Sequence, residues 1–222
     1  MLAVVEGVGY PDQSYSHFKS MHIWQTEDQD GKLGGSWLGR YFETLGMPQA
    51  KAFPVLAVGK VLPPECSTTH LPIPVVESVS LYQLQSGTAN NDLDPNLMED
   101  RARALLKLYN SSSARTPYPV LLGNTVQTAV GTSQAPQEAS QAYRSSVEYP
   151  DAFFGKGLKL FAEAIVGDLE IKVGHITIGG FDTHGAQLDE QAALLQTFSQ
   201  GTRAFYQDLK EQGKDGDVVI MT

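Results

Sequence analysis

Apolar side chains recur every three or four residues along the last third of the chain, which predicts one long helix with a single apolar face. Gly213 follows at the position where this helix would end. Apolar runs lie on either side of the helix, LEIKVGHITIGG at residues 169–180 and DVVIMT at residues 217–222, and both predict strands. A strand, a helix and a strand in this order form a βαβ unit, which implies a parallel sheet with a right-handed crossover. The positions of the apolar face are Leu188, Ala192, Leu195, Phe198, Thr202, Phe205 and Leu209.

The same alternation of strand-like and helix-like segments continues towards the N-terminus. Runs of β-branched and apolar residues predict strands at residues 2–8, 54–60 and 73–84. Helical spacing predicts further helices, and a serine or a glycine stands at the expected start or end of most of them. These helices cover residues 16–26 with Ser14 or Ser16 as the N-cap, residues 36–46 ended by Gly46, residues 96–111, and residues 153–167 ended by Gly167.

This pattern predicts an α/β fold in which a mostly parallel sheet is sandwiched by helices. No internal repeat or linker divides residues 1–222, so we expect a single domain. Because strand-like segments lie at both ends, we expect the chain to be an internal segment of a larger domain with an incomplete sheet. Residues 111–150, rich in Ser, Thr, Gln, Ala and Pro, are expected to form a mobile insertion or a lid over the site.

Composition and charge narrow the classes of partner. The net charge is −9 with Lys and Arg scattered singly, which argues against a nucleic-acid surface and against binding to an anionic membrane. Cys66 is the only cysteine, which excludes an internal disulfide and a thiolate metal cluster. No apolar run approaches the roughly 18 residues of a membrane helix, and the N-terminus does not resemble a signal peptide. These features leave the cellular location open.

The segment HITIGGFDTHGAQLDE contains the first chemical candidate. Ligands of an open parallel sheet bind beyond the carboxyl ends of its strands. Asp182 and His184 lie at such an end, and residues two apart on an extended segment point to the same side, with Cα atoms roughly 6.6 Å apart. Their side chains could therefore share one metal ion at roughly 2.0–2.2 Å. The alternative is that Asp182 is the N-cap of the following helix and His184 a solvated residue of its first turn.

A second candidate follows the first predicted strand, in the segment YPDQSYSHF. Ser14 and Ser16 are candidate nucleophiles, and His17 is a candidate ligand or base. A serine hydroxyl needs an adjacent base or a metal ion to become nucleophilic. The alternative is an ordinary helix with a serine cap. The remaining histidines and the large aromatic residues are expected to be structural: His22, His70, His175, Trp24, Trp37 and Phe42.

Three stretches, in their order and spacing, resemble a known family: VGYPDQSYSHFKSMHIWQT, GSWLGRYFETLG and GGFDTHGAQLDEQAALL. They are similar to the bacterial domain of unknown function 1501 family over nearly the whole chain. That family is itself similar to the alkaline phosphatase and sulfatase superfamily, whose members hold one or two divalent metals at the strand ends of an α/β sandwich. The resemblance implies an alkaline phosphatase-like fold and a divalent metal such as zinc, manganese or calcium.

The same resemblance implies roles for particular residues. Asp182 and His184 fall where the superfamily places an Asp and a His that bind one metal ion, although the usual spacing there is wider. Ser16 and His17 fall in the segment that resembles the nucleophile loop, where a Ser or Thr begins a helix, and Ser14 competes with Ser16 for this role. An upstream DG turn of the family would precede this chain, and its EFGR and DHG stretches would follow it. The resemblance implies that these flanks hold about half of the metal ligands.

We therefore expect a segment of a metal-dependent hydrolase of the alkaline phosphatase type, with phosphate or sulfate esters as small-molecule substrates. The sequence lacks a phosphate-binding loop, a GxSxG elbow and a Rossmann glycine fingerprint, which argues against ATPase, esterase and dinucleotide oxidoreductase activity. The alternatives are a non-catalytic binding or assembly module and an inactive fragment that retains the fold. An incomplete sheet exposes strand edges, so we also expect self-association through these edges. Full-length relatives are expected to be exported to the periplasm, as the resemblance implies.

Overall fold

The structure is a computed structural model that describes residues 3–44, 55–69, 71, 73–77, 100, 103–104, 107 and 135–222. Isolated residues between 100 and 107 are helical, in agreement with the helix predicted over residues 96–111. The other elements, in chain order, are α1 (His17–Thr26), α2 (Trp37–Thr44), β1 (Val55–Val58), a 3-10 helix (Pro64–Cys66), β2 (Val75–Val76), α3 (Ala135–Ala142), α4 (Phe153–Val166), β3 (Val173–Ile176) and α5 (Gln187–Glu211).

β1 is the central strand of a parallel sheet with the order β2-β1-β3. Ala57 lies opposite Val75 of β2, and Val55 lies opposite Val173 of β3. All four residues of β1 are buried, as expected for a strand that is covered on both faces. A general α/β fold with a parallel sheet is therefore confirmed. The predicted strands that correspond to these three are residues 54–60, 73–84 and 169–180, of which residues 78–84 lie outside the described part of the chain.

The two faces of β1 pack against different layers, because consecutive residues of a strand point to opposite faces. Leu56 and Val58 belong to a larger cluster that is formed mainly by α4 and α5. The smaller cluster, on the other face, joins β1 to α2 and to the 3-10 helix, and its buried members are Leu38, Phe42, Val55 and Cys66. Phe42 was correctly expected in the core.

A glycine allows α4 to approach the sheet closely. A Cβ atom on Gly157 would lie 2.2 Å from Cδ1 of Ile176 and 3.0 Å from Cγ1 of Val58. These distances are well below the roughly 3.5–4.0 Å of a favourable carbon–carbon contact. A larger residue at this position would therefore push α4 away from β1 and β3.

The long predicted helix is present as α5, and its C-terminal half packs as expected. Phe205 and Leu209 are 4% and 2% exposed and belong to the larger cluster. Gly213 has a φ of 68° just beyond the helix, which confirms the position predicted for it. The N-terminal half differs from the prediction, since Leu188 is 88% exposed and Leu195 is 50% exposed. The apolar period predicts the helix correctly, whereas burial depends on which elements pack against it.

Residues 3–8 and 217–222 are not strands, so two predicted strands are wrong. Val4 is 75% exposed and Val219 is 92% exposed. β-branched residues form a strand only where a neighbouring strand offers backbone partners, and within the described residues these segments join no ladder. The expectation that Trp24 belongs to the core is also wrong, because this side chain is 52% exposed.

Part of the insertion predicted at residues 111–150 lies outside the described residues, namely 111–134. The rest forms α3 and a segment without helix or strand whose first residue, Tyr143, is buried in the larger cluster. Its role as a mobile insertion or a lid stays a prediction. Gly46 and His70 also lie outside the described residues. None of the helices described is both long and apolar enough to span a membrane.

Candidate functional site

The loop between β3 and α5, residues 177–186, contains the Asp–His candidate. It follows the carboxyl end of β3 directly, which is the edge where parallel sheets bind ligands. Gly180 and Ala186 have φ values of 98° and 47°, so the backbone enters the left-handed region before and after the pair. A Cβ atom added to Gly179 or Gly185 would meet no atom within 4 Å. Among the described residues, the loop therefore leaves open space next to the pair.

Asp182 and His184 converge within this loop. Oδ2 of Asp182 lies 3.0 Å from Nε2 of His184, and the side chains are 84% and 87% exposed, respectively. Such a solvated pair contributes little to stability, so the fold does not require it. The N-cap of α5 is Ala186, which offers no side-chain hydrogen bond. The alternative that Asp182 caps α5 is therefore wrong.

The separation of the two donor atoms is that of a hydrogen bond and is close to the separation that a shared divalent ion requires. Two ligands at roughly 2.0–2.2 Å from a tetrahedral ion lie about 3.3–3.6 Å apart. The 3.0 Å between Oδ2 of Asp182 and Nε2 of His184 is slightly shorter, so a small side-chain movement would let both atoms bind one ion. A stable zinc site has three or four ligands, and in the described part of the chain no three His, Cys, Asp or Glu side chains are placed to hold an ion together. The pair therefore supplies two donors of a site rather than a complete one.

α1 begins at the serine–histidine candidate. Ser16 is the N-cap, since its backbone is extended and its Oγ accepts a hydrogen bond from the Lys19 N–H at 3.4 Å. The interpretation of this serine as a helix cap is confirmed. His17 is the first helical residue, and both side chains are exposed. The hydrogen bond from the Lys19 N–H is long and the Ser16 hydroxyl is exposed. The role of Ser16 as a helix cap therefore does not prevent its hydroxyl from contacting a substrate.

Ser14 is held in a small hydrogen-bond network. Its N–H donates to Oη of Tyr10 at 2.8 Å, and its carbonyl accepts from Oγ of Ser20 at 2.9 Å. Oη of Tyr10 and Oγ of Ser20 lie 2.7 Å apart, and this contact, followed by the Ser14 N–H, lowers the pKa of Tyr10. The N–H of Ser16 also donates to Oγ of Ser14 at 3.2 Å. Tyr10 is not among the predicted site residues, because it stands in a segment predicted only as a turn.

The two candidates do not contact each other in the described residues. No hydrogen bond or ion pair joins Ser16 or His17 to Asp182 or His184 there. The structure therefore brings Asp182 and His184 together as predicted, and it places the serine candidates in a separate local network.

A buried polar contact links the 3-10 helix to β3. Oε2 of Glu65 lies 3.8 Å from Nε2 of His175, which is a sheet residue as predicted. Oε2 of Glu65 and Nδ1 of His175 are buried, and neither has a hydrogen-bond partner among the described residues. The 3-10 helix also packs against α1. This contact therefore connects the layer that contains Ser16 to the strand that leads to Asp182.

A buried carboxylate on α5 is a second feature that sequence analysis missed. Asp208 is 0% exposed, and its Oδ2 accepts hydrogen bonds from the hydroxyl groups of Tyr143 and Tyr149, the latter at 2.6 Å. Burial and then the hydrogen bond to Asp208 raise the pKa of both tyrosines. Asp208 lies three residues after Phe205, near the apolar face of α5. A carboxylate at such a position was the available sequence signal.

The chain matches a protein-family model over nearly its whole length. A family model described as "Protein of unknown function (DUF1501)" matches residues 3–222. No curated protein and no solved structure matches the chain. The family match includes both candidate segments. Because the function of the family is unknown, the function of this chain has to be inferred from its residues.

Proposed function

The chain belongs to the DUF1501 family of proteins of unknown function, and on this premise we propose that it is part of a metal-dependent hydrolase of the alkaline phosphatase and sulfatase type. Its substrates are phosphate or sulfate esters. The observation that supports the proposal is the 3.0 Å approach of Asp182 and His184 beyond the carboxyl end of a parallel strand. Carboxylate oxygen and imidazole nitrogen are both donors that bind zinc and manganese.

Asp182 and His184 would hold the divalent ion, whose chemistry is to polarise the ester and to lower the pKa of a coordinated hydroxyl. The protein itself offers little attraction for an anionic ester near this loop. No Lys or Arg stands between residues 173 and 202, and the first turn of α5 contributes Asp189 and Glu190. These carboxylates repel phosphate and sulfate. We therefore expect the binding of inorganic phosphate to require a divalent metal.

Ser16 is the proposed nucleophile or its neighbour, with His17 as the adjacent ligand or base. Ser16 stands at the N-terminus of α1, where helix N–H groups favour negative charge on a nearby oxygen. Ser14 is the competing nucleophile, but it is half-buried and its backbone is engaged by Tyr10 and Ser20. Accessibility therefore supports Ser16 as the first choice for substitution.

Metal binding tests the Asp–His pair directly. Zinc, manganese and calcium are titrated into the protein by calorimetry, and Asp182→Asn and His184→Gln are each compared with the wild type. We expect each substitution to weaken binding by about tenfold or more, because a site with few donors depends on every one of them. Matched controls are Asp189→Asn and His22→Gln, which replace the same residue types at other exposed positions. Binding that is absent, or unchanged by the two pair substitutions, would contradict the proposal.

Turnover tests the proposed reaction class. Phosphomonoesters, phosphodiesters and sulfate esters are assayed with each added metal, using Ser16→Ala, Ser14→Ala and His17→Gln as variants. Metal-dependent turnover that is lost in Ser16→Ala is the expected result. Turnover that persists in both serine variants, or that needs no metal, would exclude this mechanism.

A non-catalytic binding or assembly module that self-associates is the second candidate, and exposed apolar segments favour it. Val5 and Val8 are 78% and 58% exposed, and Met221 is 80% exposed near the other end of the chain. These exposed side chains are available for contacts with another copy of the chain, and a contiguous apolar surface would mark an interaction site. Light scattering over about a hundredfold range of protein concentration would reveal the expected self-association as a rise in mass. Metal-dependent turnover that requires Ser16 would exclude the alternative of a non-catalytic module.

A further inference from the structure

The segment that joins α3 to α4, residues 143–150, has few backbone attachments to the rest of the fold. It contains no helix or strand, and its residues Arg144, Ser145, Ser146 and Glu148 are exposed. Within the described residues, the backbone of residues 144–150 makes no hydrogen bond to other backbone groups. Segments with this character open locally at low cost in free energy. We call residues 143–150 the strap.

The strap is attached to the C-terminal end of α5 mainly by its side chains. Tyr143 and Tyr149, near its two ends, donate their hydroxyl protons to the same oxygen, Oδ2 of Asp208. Two further links lie at the exposed surface: Ser146 Oγ donates to Glu211 at 2.9 Å, and Gln212 Nε2 donates to the Arg144 carbonyl at 2.7 Å. Exposed links of this kind contribute little, whereas buried hydrogen bonds to a charged acceptor are strong.

Asp208 is therefore the principal polar attachment point, beside the packing of the Tyr143 and Tyr149 rings in the larger cluster. Its carboxylate is buried, and its other oxygen, Oδ1, is also buried without a hydrogen-bond partner in the described residues. Besides the two tyrosines, the nearby charged group is Glu163 of α4, whose charge acts on Tyr143 and which lies 3.9 Å from Lys159. Because both tyrosines share one acceptor atom, the loss of that atom's charge weakens both ends of the strap together.

We propose that the strap is a releasable element, fastened at the Asp208 carboxylate, and that loss of this fastening opens residues 143–150 while α4 and α5 stay folded. The two tyrosine hydrogen bonds then act as one unit, so the strap is either closed on α5 or open along its length. The open strap uncovers the carboxylate of Asp208. This proposal stands independently of the metal site.

Tryptic cleavage after Arg144 measures the opening. A protease needs an extended, detached segment, so the cleavage rate follows the population of the open strap when opening and closing are fast. We expect Asp208→Asn to increase cleavage after Arg144 by about tenfold or more, because a neutral amide accepts the two hydrogen bonds more weakly than a carboxylate. Mass spectrometry identifies the new N-terminus at Ser145. Asp189→Asn, an exposed carboxylate on the same helix, is the matched control and is expected to leave the rate unchanged.

Cleavage after Arg203, an exposed residue within α5, separates local release from global unfolding. The proposal predicts that Asp208→Asn leaves the rate at Arg203 and the helical circular dichroism unchanged. Equal increases at Arg144 and Arg203, or no increase at Arg144, would overturn it. If Asp208→Asn does not fold, the single variant Tyr149→Phe keeps the carboxylate and its hydrogen bond from Tyr143 and removes one of the two donors, and the same two cleavage rates decide.

Discussion

Gly39, in the first turn of α2, is a position where helix propensity and tertiary packing give opposite predictions for a substitution to alanine. Propensity alone favours alanine over glycine by up to about 1 kcal/mol in a helix. In the structure, however, a Cβ atom on Gly39 would lie 1.9 Å from the carbonyl oxygen of Ser67 and 2.7 Å from its carbon. We therefore expect Gly39→Ala to destabilise the protein.

The size of the expected loss of stability follows from the hydrogen bonds that the Ser67 carbonyl accepts. This oxygen accepts one hydrogen bond from the N–H of Ser36 at 2.8 Å and another from Oγ of Ser36 at 3.0 Å. A shift that relieves the clash weakens both bonds, each worth about 0.5–1.5 kcal/mol, and overpacking costs about 1–3 kcal/mol. After the gain in propensity of about 1 kcal/mol, the free energy of unfolding should fall by about 1–5 kcal/mol. For a chain of this size, each kcal/mol lowers Tm by roughly 2–4 °C.

Urea denaturation followed by circular dichroism measures this loss, and Trp37 on α2 offers a local fluorescence signal. Gly201→Ala is the matched control, since its Cβ would meet a ring carbon of Phe154 at 2.9 Å and Cδ1 of Leu158 at 3.3 Å rather than backbone. Side chains adjust more readily than a backbone carbonyl that accepts two hydrogen bonds, so this variant should lose less stability. A Gly39→Ala protein that is as stable as the wild type, or more stable than Gly201→Ala, would refute the packing argument.

Three further predictions concern single side chains. Burial raises the pKa of Tyr143 and Tyr149 above the ordinary value of 10.0, so the stability that their neutral hydroxyl groups contribute is present below pH 10 and is lost as pH rises further. The free energy of unfolding should therefore fall above about pH 10. The fall should be smaller in the double variant Tyr143→Phe with Tyr149→Phe. Ser16→Ala should lower the free energy of unfolding by about 0.5–1 kcal/mol, and Ser16→Asp should restore it; equal thermal melts for all three proteins would contradict the cap. Burial, followed by the charge of Glu65, raises the pKa of Cys66 to about 12, so iodoacetamide should label this thiol only after denaturation; rapid labelling of the native protein would contradict its burial.

Local sequence signals account for α1, α2, α4 and α5 and for the strands of the sheet, whereas α3 lies in a segment that was predicted as an insertion or a lid. α5 could be predicted because its apolar period and Gly213 are both local features. The strand-like segment at residues 3–8 could not be assigned correctly, because β-branched residues form a ladder only when a partner strand is adjacent. Trp24 shows the same limitation for burial, since its exposure depends on which element covers α1.

In the candidate site and its surroundings, local contacts could be predicted and long-range contacts could not. The convergence of Asp182 and His184 was expected from an extended segment, whereas the backbone turns at Asp182, where the Thr183 N–H donates to the Phe181 carbonyl at 3.0 Å. Contacts between residues distant in the sequence were not predictable, such as the convergence of Tyr143 and Tyr149 on Asp208. No periodicity relates these positions, because α4 and β3 lie between them along the chain.

The pairing of Val55 with Val173 has a consequence for how this chain acquires its structure. The central strand is made early during synthesis, yet one of its two neighbours emerges from the ribosome only after α3 and α4. Until then, the apolar residues of β1 lack half of their sheet, and the nascent chain depends on long-range closure that is intrinsically slow. We expect a chaperone that shields extended apolar segments to improve the yield of this protein, and we expect β1 amides to exchange last once the sheet has closed.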